Sequence, residues 1–167
     1  MRDPKAEYAI QKTGGRVPRE SAAAPEMQEL WFSLAHHPWS LLVLVPASEG
    51  GSTAAIATRL ADVGRRLREV PVTFLIMADT IDYPTAGRIV KALGAATRQD
   101  ASPEDVPASK VVVAIPSVIS EPLGLVVAKA ADLVVLCIEK GKTALPSARR
   151  TIRLIGRERI AGSLLVG

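Results

Sequence analysis

A glycine-rich loop that follows an apolar run and precedes a helical segment is where this sequence could bind phosphate. The stretch reads "VPASEGGSTAAIATRL", and its loop residues are Glu49, Gly50, Gly51, Ser52 and Thr53. In the motif G-x-x-x-x-G-K-[ST], backbone N–H groups at a helix N-terminus hold phosphates. The lysine of that motif reaches the outer phosphates and the hydroxyl holds magnesium.

The match between this loop and the motif is partial. Gly50 stands at the second glycine, and Ser52 and Thr53 stand in the hydroxyl region. Val45 replaces the first glycine and Gly51 replaces the lysine. The backbone could still hold an anion, but the charge for the outer phosphates is missing. The alternative interpretation is a flexible turn and a helix whose N-terminus is capped by Ser52 or Thr53.

Carboxylates that direct magnesium are expected after the neighbouring strands. The stretch "FLIMADTIDYP" places Asp79 and Asp82 after a second apolar run, where they could serve a metal or form ordinary turns and helix caps. The third run, "KVVVAIP", has Ala114 where a metal-binding strand would end in aspartate, and Pro116 follows. A third-strand metal ligand is therefore not expected.

Arginines cluster in a helix predicted over 144–160. They are Arg149, Arg150, Arg153 and Arg157, and steps of four place Arg149, Arg153 and Arg157 on one face. Such a face could bind anionic lipid or an acidic partner, or could be the solvated side of an amphipathic helix. No aromatic residues alternate with these arginines, so a stacking site for nucleic acid is not expected.

The candidate site residues must be positioned by regular elements. Along the chain, short runs that are apolar throughout alternate with helical segments. The runs are "SLLVLVP", "VTFLIMA", "KVVVAIP", "LVVLCIE" and "AGSLLVG". Strands buried on both faces have this composition, which is typical of parallel sheets covered by helices. We therefore predict a three-layer, doubly wound α/β fold with about five mostly parallel strands, like that of P-loop NTPases. Its ligands would bind at the carboxyl ends of the strands.

The composition is that of one globular domain. The 167 residues are 48% hydrophobic and 23% charged, with a net charge of +4. We predict a flexible tail over 1–24, where Gly, Pro and scattered charges interrupt any period, and a domain over 25–167. No apolar run approaches the ~20 residues of a membrane-spanning helix. The single cysteine, Cys137, excludes an internal disulfide and favours a cytoplasmic location.

The order of these motifs resembles the bacterial tyrosine autokinases of capsule and exopolysaccharide export, which are relatives of the MinD and ParA ATPases. Their first loop, S-x-x-P-G-E-G-K-S-T, is similar to "PASEGGST", and their D-A-D-x-R-x-P motif to "ADTIDYP". Their D-T-P-P-V motif, with the later A-D-x-V-L-L-V-V-x-x-G-x-T, resembles "AIPSV" and "ADLVVLCIEKGKT". The resemblance spans roughly Pro25 to Gly167.

The departures from the family pattern all remove functional groups. Gly51 replaces the phosphate-loop lysine, Ala114 replaces the third-motif aspartate, and the C-terminal tyrosine cluster is absent. The ring-forming motif E-x-x-R-x-x-R falls on Pro25, Gln28 and Trp31. Phosphoryl transfer depends on charge neutralisation by lysine and magnesium. The resemblance therefore implies a pseudokinase with no catalytic residues, a vestigial nucleotide site and no expected cofactor.

The resemblance also implies a biological setting. It predicts a cytoplasmic partner of a membrane polysaccharide co-polymerase or of another export protein, brought to the inner face of the membrane by that partner. Self-association stays open and nucleic acid is not expected. One alternative is an active kinase or ATPase that uses ATP or ADP with magnesium, through Asp79 and Ser52 or Thr53. The other is a ParA-like binder of nucleic acid or membrane surfaces through the arginine helix.

Overall fold

The computed structural model describes residues 25–67, 72–76, 83–97 and 110–167, in which helices and strands alternate. The predicted tail over 1–24 lies outside the described residues, as do Asp79 and Asp82. In chain order the elements are α1 (Pro25–Ala35), β1 (Leu41–Pro46), α2 (Ala54–Leu67), β2 (Val72–Ile76), α3 (Tyr83–Thr97), β3 (Lys110–Ala114), α4 (Gly124–Ala130), β4 (Leu133–Glu139), α5 (Leu145–Ile155), a 3-10 turn (Arg157–Arg159) and β5 (Ile160–Val166).

The strands form one parallel sheet in the order β2-β3-β1-β4-β5. β1 lies at the centre, where Leu41 pairs with Val111 of β3 and Leu42 pairs with Leu133 of β4. Helices flank the sheet, so the predicted three-layer α/β architecture with five parallel strands is confirmed.

The side chains of β1 alternate between two apolar layers. Leu42 and Leu44 contact residues of α1 and α2, whereas Leu41, Val43 and Val45 contact residues of α3, α4 and α5. Every residue of β1 is buried. This two-sided burial explains why the strand is apolar at each position, since successive side chains of a strand point to opposite faces.

The chain reverses its direction across the sheet after β2. It passes from β1 over β3 to the edge strand β2, and then moves back through β3 and β4 to β5. Right-handed crossovers then place α2 on one face and α3, α4 and α5 on the other, as the two apolar layers show. The loops that follow β1 and β4 therefore leave toward opposite faces, and the region between them is called the crevice below.

α5 is shorter than the periodic pattern of its apolar residues predicts. α5 ends at Ile155 because Gly156 adopts a φ of +99°, a left-handed conformation that stops the helix. Arg157 lies beyond it in the 3-10 turn. The prediction that Arg157 shares a helical face with Arg149 and Arg153 is therefore wrong.

A tryptophan pair fixes α1 on α2. Trp31 is 2% exposed and lies directly over Gly64, where any side chain would collide with the indole ring. Its ring meets Trp39 edge-to-face at a centroid distance of 5.7 Å. The Trp39 indole N–H donates to the Leu34 carbonyl at 3.1 Å, and Lys110 Nζ lies 3.9 Å from a Trp39 ring centroid. Trp31 therefore serves the core of its own chain.

Candidate functional site

The candidate site lies at the carboxyl ends of β1 and β4, where an open α/β sheet binds its ligands. The loop after β1 forms one wall and the turn after β4 forms the other. The Ala47 N–H donates to the Cys137 carbonyl at 2.8 Å, and the hydroxyl oxygens of Ser48 and Thr143 are 3.4 Å apart. These contacts bring together two segments that are about 90 residues apart in sequence.

The phosphate-type loop has no room for the lysine that it lacks. Gly50 has a φ of +75° and nothing lies within 4 Å of an added Cβ, so it makes the turn freely. A Cβ on Gly51 would lie 2.8 Å from the Pro46 Cβ, closer than real side chains approach. The Pro46 ring is fixed to the end of β1, so a side chain at position 51 requires the backbone to shift. Gly51 is therefore also the residue that this loop geometry requires.

The hydroxyl of Thr53 forms hydrogen bonds within the fold. Thr53 is 2% exposed, and its hydroxyl lies 3.3 Å from both the Leu44 and the Ile115 carbonyl oxygens, which share its single proton. Its own carbonyl accepts the Ala57 N–H at 2.9 Å in the first turn of α2. Thr53 thus connects the ends of β1 and β3, while Ser52 is exposed beside it.

A carboxylate occupies the crevice beside the lysine position. Glu139 Oε1 lies 3.8 Å from the place of a Gly51 Cβ, and Oε2 pairs with Lys142 Nζ at 3.1 Å. The Glu139 N–H donates to the Thr143 hydroxyl at 2.9 Å, which holds the turn closed. The Glu139 side chain is 29% exposed and that of Lys142 is 80% exposed. A carboxylate paired with a lysine of the β4 turn therefore lies beside the position where a phosphate-binding loop has its own lysine.

The end of β3 contributes no ligand. Ala114 is 3% exposed and contacts the α1–α2 layer, and Pro116 is half-buried behind it. Ser117 is 2% exposed, and its hydroxyl accepts the Ile119 N–H at 3.3 Å. Its carbonyl accepts the Glu121 N–H at 2.8 Å. The chain after β3 is a tight turn that uses its polar groups internally.

The "AAD" stretch, which is part of the most specific resemblance to the tyrosine autokinases, has a structural role in this fold. Asp132, from the "AAD" stretch, accepts the N–H groups of Ser40 and Leu41 on one carboxylate oxygen at 2.8 and 2.9 Å. In return, its own N–H donates to the Leu41 carbonyl at 3.0 Å. The carboxylate therefore anchors the start of β1 against the start of β4, at the end of the sheet opposite the crevice.

The arginines lie on the outer surface of the last helix. Arg149, Arg150 and Arg153 are exposed on α5, and Arg157 is exposed in the turn that follows. Thr151, on the buried side of α5, donates its hydroxyl to the Ala47 carbonyl at 3.3 Å. The helix is thereby attached to the first loop of the crevice, with its charges directed away from that loop.

The described residues contain a single cysteine, which is buried, and no grouping that could hold a metal ion. Across residues 25–67, 72–76, 83–97 and 110–167, no three His, Cys, Asp or Glu side chains are grouped closely enough to hold a metal ion. Cys137 is buried, and that burial raises the pKa of its thiol from 9.0 to about 12. In the same part of the chain, no helix has the length and apolar character to cross a membrane.

No protein-family model matches the chain, and no curated protein matches it significantly. The relation to the tyrosine autokinases therefore stays a prediction that rests on the order of the motifs.

Among the described residues, the site combines the backbone turn at Gly50 with the Glu139–Lys142 ion pair. The loop residues from Glu49 to Thr53 lie between the carboxyl end of β1 and the start of α2. The sequence interpretation missed Glu139, whose approach to Gly51 depends on β4 lying beside β1. Its signal in the sequence is a charged residue at the end of an apolar strand, a position where such folds place ligand-binding groups.

Proposed function

We propose that this chain is a catalytically inactive relative of the tyrosine autokinases that acts by binding a protein partner in polysaccharide export. The fold and the order of its motifs support the relation, and the crevice supports the loss of activity. The polysaccharide co-polymerase partner and the location at the inner face of the membrane come from the resemblance.

The closed lysine position carries this proposal. Gly51 is packed against Pro46, with 2.8 Å between the added Cβ and the ring, and the nearby charge is the carboxylate of Glu139. Transfer of a phosphoryl group requires positive charge around the outer phosphates. Here the nearest ionised side chain is the Glu139 carboxylate, which is already paired with Lys142, and the Ala114 methyl group cannot hold magnesium.

Calorimetry with nucleotide is the direct test. We expect no binding heat when MgATP or MgADP is titrated to millimolar concentration into the purified chain. The Gly51→Lys variant should stay equally silent, because its Cβ meets Pro46 before the amine can reach the crevice. The double variant Pro46→Gly/Gly51→Lys removes that obstacle, and any gain of binding in it alone would attribute the silence to this contact.

Magnesium-dependent binding at micromolar nucleotide by the unaltered chain would contradict the proposal. If that binding weakened in Ser52→Ala and ATP were hydrolysed, the active kinase or ATPase would replace it. The partner is tested separately, by surface plasmon resonance of the immobilised chain with a purified polysaccharide co-polymerase from the same genome. Binding that does not change when nucleotide is added is the expected result.

A further inference from the structure

We propose that the outer side of the layer formed by α3, α4 and α5 is a docking surface for a membrane with anionic lipid headgroups. This surface, called the basic face below, consists of Arg88 and Lys91 on α3, Lys129 on α4, and Arg149, Arg150 and Arg153 on α5. The inference goes beyond the proposed function, in which a partner protein brings the chain to the membrane. It requires neither that partner nor ATP.

The three helices lie side by side on one face of the sheet. Their buried side chains share one apolar layer with β1, and α4 contacts both α3 and α5. The axes of packed helices are about 8–10 Å apart, so the outer side of this layer extends about 16–20 Å from α3 to α5. The helices therefore present a broad surface to solvent.

The basic side chains of this layer are directed away from the sheet. Five of them lie two residues from a buried residue of their own helix, and two residues of a helix are about 200° apart around its axis. The pairs are Arg88 with Ala86, Lys91 with Leu93, Lys129 with Val127, and Arg149 and Arg153 with Thr151. All five basic residues are exposed, so they face solvent on the side opposite the sheet.

The outer sides of the two helical layers differ in charge. Within α3, α4 and α5, six side chains are basic and none is acidic. Within α1 and α2, on the other face of the sheet, three arginines are balanced by Glu26, Glu29 and Asp62. Positive potential is therefore concentrated on one side of the molecule, although the net charge of the whole chain is only +4.

The neighbouring acids do not neutralise the basic face. The described acids within three residues of its helices are Glu121, Asp132 and Glu158. Asp132 accepts two N–H groups at the start of β1, and Glu158 lies between two arginines of the 3-10 turn. In the described part of the chain, Lys129, Arg149 and Arg153 take part in no ion pair. These cations are therefore available to an external anion.

Shape and hydrophobicity identify the occupant as a membrane. The cations extend across three helices, which suits a plane of anionic headgroups better than a single peptide or nucleic-acid strand. Tyr83 and Leu145, the first residues of α3 and α5, are 70% and 62% exposed. Both lie toward the carboxyl end of the sheet, because each helix follows a parallel strand. A tyrosine and a leucine at the margin of a basic surface are stabilised by the headgroup and acyl region of a bilayer.

Vesicle binding by the full chain tests the inference. The probe is a pair of vesicle preparations, one of phosphatidylcholine alone and one that contains about one-third phosphatidylserine, used in a sedimentation assay at about 0.1 M salt. We expect binding to the anionic vesicles and none to phosphatidylcholine alone. The binding should weaken as the salt concentration rises, because ions screen exposed charges.

Charge reversals at matched positions locate the surface. A basic residue near an anionic leaflet contributes about fivefold to partitioning, so Arg153→Glu should weaken binding about 20-fold. Lys129→Glu, on the neighbouring helix, should have a similar effect because one plane covers both positions. Arg59→Glu makes the same change of net charge on the exposed side of α2 and should alter binding less than about twofold. The sheet and two helical layers separate Arg59 from the membrane by more than the Debye length of about 10 Å.

A change at Leu145 tests the apolar contribution. Leu145→Ser should weaken vesicle binding about threefold at every salt concentration, because the lost contribution is not electrostatic. All the variant positions are exposed, so the urea midpoints followed by circular dichroism should match that of the unaltered chain. This match separates a loss of binding from a loss of folding.

Three outcomes would overturn the inference. One is the absence of binding to anionic vesicles. Another is equal weakening by Arg153→Glu and Arg59→Glu, which would mean that only the net charge of the chain matters. The third is tighter binding to a DNA duplex than to vesicles, measured by fluorescence anisotropy and lost in Arg153→Glu. These measurements use neither ATP nor the co-polymerase, so calorimetry and surface plasmon resonance test the proposed function independently.

Discussion

At the scale of single residues, Gly51 shows how close packing leaves no room for a side chain. Without a lysine at this position, Pro46 can lie within 2.8 Å of where a Cβ would stand, and Glu139 can extend to within 3.8 Å. Pro46 would resist a lysine at this position by its volume, whereas the Glu139 carboxylate, already paired with Lys142, would attract its ammonium group. A lysine at position 51 would therefore require Pro46 or the loop backbone to move.

The buried thiol of Cys137 predicts a pH dependence of stability. Its pKa rises from 9.0 to about 12 on folding because burial disfavours the thiolate. A raised pKa stabilises the folded state fully below the unfolded value of 9.0, and this contribution is lost as the pH rises from there toward 12. Relative to Cys137→Ala, the free energy of unfolding should fall by about 1.4 kcal/mol per pH unit above pH 9.0.

Urea denaturation of the unaltered chain and of Cys137→Ala on the two sides of that pH measures this difference. A difference between the two proteins that stays constant with pH would show that the thiolate is tolerated in the folded state. Below pH 9.0 the two unfolding free energies should run in parallel.

The carboxylate of Asp132 predicts a second residue-scale effect. Replacement by Ala leaves the N–H groups of Ser40 and Leu41 without their acceptor and should lower the free energy of unfolding by about 1–2 kcal/mol. Asp132→Asn keeps an oxygen that can accept both hydrogen bonds and should cost about half as much. Chemical denaturation compares the variants, and equal losses would mean that the charge matters rather than the acceptor.

At the scale of elements, apolar patterns predicted the strands better than the ends of the helices. β4 spans Leu133–Glu139 as the run "LVVLCIE" predicts, since two-sided burial leaves no ambiguity in its composition. The predicted last helix runs past its true end because the apolar period continues beyond Gly156. The left-handed φ of Gly156 ends the helix. A periodic pattern of apolar residues contains no information about such a backbone conformation.

Two helical glycines give a matched pair of predictions. A methyl group at Gly64 would collide with the Trp31 ring, so Gly64→Ala should lower the free energy of unfolding by about 1–3 kcal/mol. Nothing lies within 4 Å of a Cβ at Gly87, so Gly87→Ala in α3 should raise it by about 0.5–1 kcal/mol through helix propensity. Thermal unfolding followed by circular dichroism measures both. Stabilisation by both substitutions would mean that α1 is not held by Trp31.

Only part of the candidate site could be predicted from the sequence, because some of its contacts depend on the order of the strands in the sheet. The positions of Gly51 and Ala114 follow from counting along motifs, because each lies in a local segment. The contacts of Gly51 with Glu139, and of Thr53 with Ile115, depend on which strands flank β1. Strand order is a non-local property, and the apolar runs that predict the strands are too alike to specify it.

At the scale of the whole molecule, one sheet serves two apolar layers. Each central strand directs alternate side chains into the two layers. Loosening of either layer therefore disturbs the sheet that both layers share. The chain's two tryptophans, Trp31 and Trp39, both lie in the α1–α2 layer and report on it by fluorescence.

This sharing predicts cooperative unfolding. Val43 is fully buried in the layer under α3, α4 and α5, and Val43→Ala should lower the free energy of unfolding by about 1–3 kcal/mol. The tryptophan fluorescence midpoint in urea should fall together with the circular dichroism midpoint, although both indoles lie on the other face. A fluorescence midpoint that stays in place would show that the layers unfold separately.

The central position of β1 has a consequence for synthesis on the ribosome. Of the two strands that flank β1, β3 is translated first. Its Val111, which pairs with Leu41, is translated 70 residues after Leu41. At typical rates of about 5–20 residues per second, the segment "LLVLVP" therefore waits roughly 4–14 seconds before either flanking strand exists. During that interval the nascent chain carries a wholly apolar strand whose two edges have no partner strand, the kind of segment that aggregates readily during folding.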